Sequence, residues 1–274
     1  MKKAFFPPLF LFVFVLFYSC GKNTNESNVY SKLNIQYKKV WECRYKFGQP
    51  DTADKYIVSI IEFNRSGKSI KSMYFENRYN WPEWNRIRID KYDSIGNCTS
   101  SFLTNFKGKI VTYSKYVNNL ITESTFYSED NMVKGKNIYK YDKRGNLIEE
   151  VGYDSIGKVD WKEISKYDSK SFCIEVKRYN SKGERTTYTK LISKVGNKSV
   201  FNDIDDKNEV SSIFASYCLK ENLDTLTTYQ SMKDNYKSMS RSRYNENELM
   251  IDRISYDKNN EPEFYQWTEF IKFK

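Results

Sequence analysis

A short turn motif recurs along the chain at a nearly constant interval, and this repeat is the strongest constraint on the fold. Its clearest copy, residues 141–146 (YDKRGN), has an aromatic residue, an aspartate, two variable residues and a glycine. Alternate copies that begin at Tyr116, Tyr141 and Tyr167 lie about 26 residues apart. One unit is therefore about 13 residues, which is enough for one β-strand and one turn.

Each copy has the residues that a β-hairpin turn requires. The aspartate accepts hydrogen bonds from backbone N–H groups that follow it, and the glycine adopts the positive φ that closes a type I turn with a β-bulge. We therefore expect Gly96, Gly145 and Gly157 to lie at chain reversals. The copies can be aligned on their first aromatic residue: Phe63, Tyr92, Phe106, Tyr116, Tyr127, Tyr141, Tyr153, Tyr167, Tyr179, Tyr244 and Tyr256.

The residues between the turns have the period of strands. In residues 38–47 (KKVWECRYKF), apolar and charged side chains alternate from Trp41 onward. No segment after Cys20 combines a helical period with caps. The sequence predicts an all-β fold class, a repetitive antiparallel β-meander that forms an extended or curled sheet over residues 30–274. Residues 186–243 are the least regular part and are interpreted as an insertion or a second subdomain.

The first twenty residues have the features of an export signal. Lys2 and Lys3 precede an apolar run that contains two prolines and ends at Ser19 and Cys20. This segment resembles the signal peptide of bacterial lipoproteins, whose cysteine is acylated and becomes the mature N-terminus. The resemblance implies a signal peptide at 1–19, lipid attachment at Cys20 and a polar tether over 20–29. A plain secretory signal or an uncleaved apolar anchor is the alternative.

The N-terminus and the charge distribution together restrict the location and the partners. Two or three acyl chains attach a protein stably to a membrane. Gly21 follows Cys20 in place of the aspartate that would favour retention at the inner membrane, so we expect the outer membrane. The net charge of +10 is interleaved with acidic residues, which argues against nucleic acid as a partner. The expected partners are the membrane, through the lipid, and an envelope protein or glycan.

The turn motifs also resemble the RHS or YD repeat, in which tyrosine and aspartate are followed after two residues by glycine. Residues 141–147 (YDKRGNL) and 153–159 (YDSIGKV) fit this pattern well. In long members of that family the repeats wind into a spiral β-sheet around a cargo, so the resemblance implies a β-sheet. Eleven units are expected to be too few to wrap a closed shell.

The residue types restrict the chemistry. The chain has no histidine, which removes the commonest general base and metal ligand. In a regular strand the adjacent carboxylates Glu149-Glu150 and Asp205-Asp206 would point to opposite faces and could not share a site. We therefore expect a non-enzymatic protein that presents its sheet to a partner, with no catalytic residues, metal or cofactor. A carboxylate-based hydrolase is the less favoured alternative.

A glycan-binding lipoprotein is a further alternative. Trp81 and Trp84, in a segment interrupted by Pro82, are the candidate platforms for sugar rings. Packing of these two aromatic side chains within the sheet is the competing interpretation.

Four cysteines follow Cys20, and their positions test the meander. Cys98 and Cys173 each lie six residues after the tyrosine of their motif, where other copies have an apolar residue. At about 4.8 Å per strand, the two should lie about 30 Å apart in a regular sheet. A disulfide bond requires a Cα separation below about 7 Å, so we expect none between them. The remaining two are Cys43 and Cys218.

Overall fold

The computed structural model describes residues 26–46, 49–75, 86–105, 107–195, 198–218, 224–232, 237–247 and 249–273. Within these ranges a helix, α1 (Glu26–Lys32), precedes nineteen strands, and a short 3-10 helix (Thr52–Asp54) separates the second strand from the third. The strands are β1 (Ile35–Lys46), β2 (Gln49–Pro50), β3 (Tyr56–Phe63), β4 (Ser69–Tyr74), β5 (Arg86–Tyr92), β6 (Cys98–Asn105), β7 (Ile110–Val117), β8 (Leu120–Tyr127), β9 (Val133–Tyr141), β10 (Leu147–Asp154), β11 (Val159–Tyr167), β12 (Cys173–Asn180), β13 (Arg185–Val195), β14 (Lys198–Ile204), β15 (Val210–Cys218), β16 (Asp224–Ser231), β17 (Lys237–Tyr244), β18 (Met250–Tyr256) and β19 (Pro262–Lys272).

The strands form one antiparallel meander that closes on itself. Each strand from β3 to β18 pairs with the next, and β1 pairs with β3 on one side and with β19 on the other. The closing ladder runs from the Ile35–Lys272 pair to the Arg44–Phe264 pair. β2 pairs only with the end of β1. Among the described residues, eighteen strands thus form a closed barrel.

The sequence analysis predicted the all-β class and the antiparallel meander correctly, but the expected extended or curled sheet is wrong. The motif count missed strands between Tyr179 and Tyr244; the turn at 205–209, for example, follows Ile204 in place of an aromatic residue and has Asn208 in place of the glycine. Residues 186–243, interpreted as an insertion or subdomain, contribute to β13–β17 of the same sheet. With these strands included, β19 reaches β1, and closure satisfies backbone groups that an open edge would leave unpaired.

The turn motif has the predicted geometry. The Asp142 N–H donates to the Asn146 carbonyl at 2.9 Å, and the Gly145 N–H donates to the Asp142 carbonyl at 3.0 Å. Asp142 Oδ1 accepts hydrogen bonds from the backbone N–H groups of Arg144 and Asn146, both at 2.9 Å. Gly145 has a φ of +83°, and Gly96 and Gly157 have +84° and +81°. All three glycines therefore lie at reversals, as predicted.

Where the motif has no glycine, a short polar residue adopts the same left-handed conformation. These residues are Asn131, Ser171, Asn208 and Asn260, with φ values of 59°, 62°, 67° and 64°. Asparagine adopts positive φ more readily than most residues, because its side chain can hydrogen-bond locally. The degenerate copies thus form the same turns.

The two faces of the closed sheet differ in burial. Ser101, Ser114 and Ser124 share one face through the register of β6–β8, and they are 5%, 6% and 4% exposed. On the opposite face, the side chains of Lys140 and Lys166 are 65% and 61% exposed. The buried face is the inner face of the barrel, and it is lined largely by polar side chains.

Helix α1 packs against the inner face at one end of the barrel, here called the near rim. The Tyr30 ring stacks on Phe63 with 4.2 Å between centroids, and both belong to a buried cluster with Ile35 and Leu249. The turns of the near rim include 64–68, 93–97, 142–146 and 168–172. The opposite end, the far rim, includes the turns 128–132, 154–158, 180–184 and 205–209.

The N-terminal segment and the cysteines complete the fold. The sequence showed no helical signal after Cys20, yet Glu26–Lys32 is helical, because a helix this short depends on packing rather than on propensity. Cys98 begins β6 and Cys173 begins β12, six strands further along the sheet. Both are free thiols, and so is the buried Cys43.

Candidate functional sites

The site residues predicted from the sequence, Cys20, Trp81 and Trp84, lie outside the described residues. The adjacent carboxylates are described. Glu149 points to the outer face, where its carboxylate pairs with Lys140 and Lys162, each at 2.6 Å. Glu150 points inward, and its Oε1 accepts a hydrogen bond from Asn137 Nδ2 at 2.8 Å. The prediction that these two side chains diverge is confirmed, whereas Asp205 and Asp206 lie in a turn.

The inner face brings together a row of polar side chains that no sequence motif marked. Glu150 on β10 pairs in register with Tyr139 on β9 and with Glu163 on β11. Glu163 in turn pairs with Arg178 on β12. Since residues directly opposite each other project to the same face, these four side chains form one continuous line across the inner wall. We call Tyr139, Glu150, Glu163 and Arg178 the inner row.

A tryptophan beside the inner row controls the position of its arginine. Trp161 pairs in register with Gly152, and a side chain at Gly152 would overlap the indole ring. The absence of that side chain lets the Trp161 ring lie close to the strand. The guanidinium carbon of Arg178 lies 4.3 Å from the ring centroid, in a cation–π contact. Gly152 thus determines where Arg178 is held.

The electrostatics of the inner row favour a protonated carboxyl near neutral pH. Burial, together with the nearby charge of Glu150, raises the pKa of Glu163 from 4.5 to about 7, although Arg178 opposes this shift. Burial also raises the pKa of Glu150, while its hydrogen bond from Asn137 acts in the opposite direction. The two carboxyl groups are therefore not both fully ionised at pH 7.

Tyrosines of the motif alternate between the two faces. Each tyrosine that precedes a near-rim turn lies two positions after an inner-face residue of the same strand. Side chains two positions apart in a strand share a face, so these tyrosines point inward. The Tyr167 hydroxyl donates to the Leu147 carbonyl at 3.0 Å, and burial raises the pKa of Tyr167 to about 12. Tyr153, which precedes a far-rim turn, points outward and lies under Lys136, whose Nζ is 5.6 Å from the ring centroid. The far rim therefore carries its aromatic rings on the outside.

An aromatic pocket lies on the outer face close to the far rim. Its volume is about 410 Å³. The Phe102 and Tyr113 rings lie 5.0 Å apart with an interplanar angle of 38°. Lys91 Nζ lies 4.9 Å from the centroid of Phe102. We call the residues that line it the outer pocket: Phe102, Ile110, Tyr113, Tyr127 and Asn131.

Elsewhere the outer face is strongly charged. Glu175 lies between Lys166 and Lys177, with N–O distances of 3.0 and 3.1 Å, and Lys115 pairs with Glu123 at 2.8 Å. Lysine and glutamate near the middle of the strands are typical of a surface in contact with water. No helix within the described ranges has both the length and the apolar character that crossing a bilayer requires.

Among the described residues, no group of three or more cysteine, aspartate and glutamate side chains is arranged to hold a metal ion. By its fold and its lining, the chain belongs to the class of closed antiparallel β-barrel proteins with a polar interior.

No protein-family model matches the sequence, and no curated protein does. Among solved structures, the chain is similar to a porin-like protein from Bacteroides uniformis, with a TM-score of 0.44 and 6% identity over 86% of this chain and 96% of that chain. It is also similar to a protein of unknown function from Bacteroides fragilis, with a TM-score of 0.31 and 12% identity over 42% of this chain and 89% of that chain. A third similar structure is that of a lipoprotein candidate from Parabacteroides distasonis, with a TM-score of 0.23 and 14% identity over 86% of this chain and 95% of that chain. These TM-scores are below 0.5, so the likenesses support no conclusion about function or location.

The sequence contained one usable signal for the inner row. Glu150 and Glu163 are separated by 13 residues, which is one repeat unit, so the repeat itself aligns them on neighbouring strands. The outer pocket had no comparable signal, because the approach of Phe102 to Tyr113 depends on the exact register of β6 and β7.

Proposed function

We propose that this chain is a non-enzymatic, lipid-anchored protein of the bacterial cell envelope that binds a glycan at the outer pocket. The observation that carries the proposal is the pocket itself. Its walls are aromatic rings, and its edge carries the amide of Asn131. A volume of about 410 Å³ lies within the range of about 300–1,000 Å³ that is typical of small-molecule sites. Aromatic faces suit the C–H faces of sugar rings, and an amide suits their hydroxyl groups.

The position of the pocket agrees with an anchor at Cys20. Helix α1 lies at the near rim, and only five residues separate Cys20 from Glu26. Each residue of an extended chain spans at most about 3.6 Å, so a lipid at Cys20 would keep the near rim close to the membrane. The outer pocket lies at the far rim and would face away from the membrane surface.

Calorimetric titration with a panel of envelope oligosaccharides tests the binding site. We expect Tyr113→Ala to weaken binding about fivefold, since removal of one aromatic platform costs on the order of 1 kcal/mol. Tyr188→Ala is the matched control, because Tyr188 is also an outer-face tyrosine but hydrogen-bonds to Glu175 on β12, away from the pocket. Equal losses in the two variants, or binding of a protein partner instead of any glycan, would contradict the proposal.

The same proposal requires the lipid. Cells that express the chain and are fed an alkyne fatty acid should label the wild-type protein, and Cys20→Ala should abolish the label. Protease shaving of intact cells then reports whether the far rim is exposed at the surface. Persistent labelling of Cys20→Ala would place the lipid elsewhere and remove the argument about orientation.

A further inference from the structure

The inner face carries five carboxyl groups whose surroundings can be compared, and four of them have hydrogen-bonding partners. Glu42 accepts from Gln266 Nε2 at 2.6 Å and also from the Tyr56 hydroxyl. The partners of the other three are as follows: Asp90 pairs with Arg88 at 2.7 Å, Asp203 accepts from Thr189 at 2.5 Å and from Ser212 at 2.6 Å, and Glu150 accepts from Asn137 at 2.8 Å.

Glu163 differs from these four. Glu150 and Arg178 act on its carboxyl through space, and no hydrogen bond or ion pair of that carboxyl is found in the described part of the chain. Glu163 is half-buried, so its carboxyl remains accessible from the barrel interior. A hydrogen-bond donor or a cation that enters the barrel can therefore pair with Glu163 without displacing a protein partner.

Arg178, on the neighbouring strand, carries the positive charge opposite Glu163. It lies opposite Glu163 in the register, yet its guanidinium stacks on Trp161 instead of pairing with the carboxylate. Within the described residues the guanidinium makes no hydrogen bond. Stacking leaves the N–H groups at its edge able to bind a planar anion with two parallel hydrogen bonds. The positive and the acidic residue lie on neighbouring strands, whose backbones are about 4.8 Å apart.

We propose that the inner row binds a small zwitterion that carries an ammonium group and a carboxylate. Its carboxylate pairs with Arg178, and its ammonium lies between Glu150 and Glu163. A cation without an anion would leave Arg178 unpaired, and an anion without a cation would leave Glu163 unpaired. A zwitterion satisfies both with one molecule, and residues on neighbouring strands call for a small one, with a few methylene groups between its charges.

Titration with three related probes tests this assignment on the purified full-length protein. γ-Aminobutyrate has both charges, whereas butylamine and butyrate have one each on a chain of the same length. We expect γ-aminobutyrate to bind at least tenfold more tightly than either. Binding of butylamine at equal strength would reduce the site to a simple cation site and overturn the proposal. Binding of maltose that is lost in Glu163→Gln would assign a polyol instead, and absence of binding by all four would also overturn it.

Substitutions identify the residues involved. Glu163→Gln and Arg178→Met should each weaken binding of γ-aminobutyrate at least tenfold, and Arg178→Lys should retain part of the affinity because it keeps the charge. Glu149→Gln is the matched control, since Glu149 lies next to Glu150 in sequence but on the outer face. Its affinity should equal that of the wild type. Circular dichroism of each variant separates loss of binding from loss of the fold.

The pH dependence gives an independent readout. Neither charge of γ-aminobutyrate changes between about pH 6 and 8.5, so any change in affinity in that range comes from the protein. Affinity should fall as the pH decreases through 7, because a proton on Glu163 competes with the ammonium group. In Glu163→Gln the residual affinity should be independent of pH. The outer pocket is not involved, so Tyr113→Ala should bind γ-aminobutyrate as the wild type does, whatever its affinity for glycans.

Discussion

At the scale of single residues, Glu163 combines two features that raise the pKa of a carboxyl. It is a carboxyl in a desolvated position, and it lies beside a second carboxyl. Its pKa is raised from 4.5 to about 7 in the folded chain. Between these two pH values the folded protein keeps a proton that the unfolded chain has lost. Linkage therefore makes the contribution of Glu163 to stability largest below about pH 4.5, and this contribution is lost as the pH rises through 7.

We predict that Glu163→Gln removes this loss of stability at high pH. Glutamine resembles the protonated carboxyl, so the variant should be more stable than the wild type at pH 8, by up to about 3 kcal/mol, and nearly equal to it at pH 4.5. Urea denaturation of both proteins at the two pH values measures the difference. A wild-type advantage at pH 8 would show that the ionised carboxylate is stabilised in the fold.

Glu149, which directly precedes Glu150 in the sequence, contributes to stability with the opposite pH dependence. The hydrogen bonds from Lys140 and Lys162 lower its pKa, so its stabilising effect is present above about pH 4.5 and is lost as the pH falls. Both lysines are well exposed, and solvent screening limits such pairs to less than about 1 kcal/mol. Glu149→Gln in the same denaturation series should therefore reduce stability slightly at pH 8, which distinguishes the outer carboxylate from the inner one.

At the scale of elements, the hairpin turn is the unit of the fold. The position with positive φ in this turn can be tested by replacing a glycine there and by introducing one. Gly145→Ala should destabilise the protein by about 1–2 kcal/mol from backbone strain alone, because a Cβ there would meet no atom within 4 Å. Ser171 occupies the equivalent position of the turn after β11, with a φ of 62°. Ser171→Gly should stabilise the protein by up to about 1 kcal/mol. Thermal unfolding of the two variants should shift the midpoint in opposite directions, and shifts of the same sign would contradict the turn assignment.

The turns and the alternation of the strands were predictable from the sequence, because both are local. Asp142 and Gly145 specify their hairpin without reference to the rest of the chain. The choice of inner face was not predictable, since Glu42, Ser101 and Glu150 are buried on the inner face, while the exposed Lys140 and Lys166 lie on the outer face. A polar interior reverses the usual rule for one-sided sheets, and local pattern alone does not reveal it. The inner row depends on the register of three consecutive hairpins, and the repeat spacing indicated only its Glu150–Glu163 pair.

At the scale of the whole molecule, closure between β1 and β19 joins the two ends of the meander. The ladder pairs Val40 with Thr268 and Trp41 with Trp267, whose rings stack 6.1 Å apart at an interplanar angle of 11°. Trp41 Nε1 also donates to Glu269 at 3.1 Å. These contacts connect residues more than 220 positions apart, so they are absent from any open sheet with the same hairpins.

Closure predicts a specific cross-link. Val40→Cys combined with Thr268→Cys places two thiols at directly opposed positions of neighbouring strands, within the distance that a disulfide bond spans. Mild oxidation should join them nearly completely, which peptide mapping under non-reducing conditions detects. The bond should raise the free energy of unfolding by about 2–4 kcal/mol, because it closes a loop of most of the chain.

In the control, Val40→Cys with Thr227→Cys, the second thiol lies on β16, four strands from β1 and about 19 Å away, so no bond should form. Equal cross-linking of the two pairs, or none in either, would show that β1 and β19 do not meet in solution.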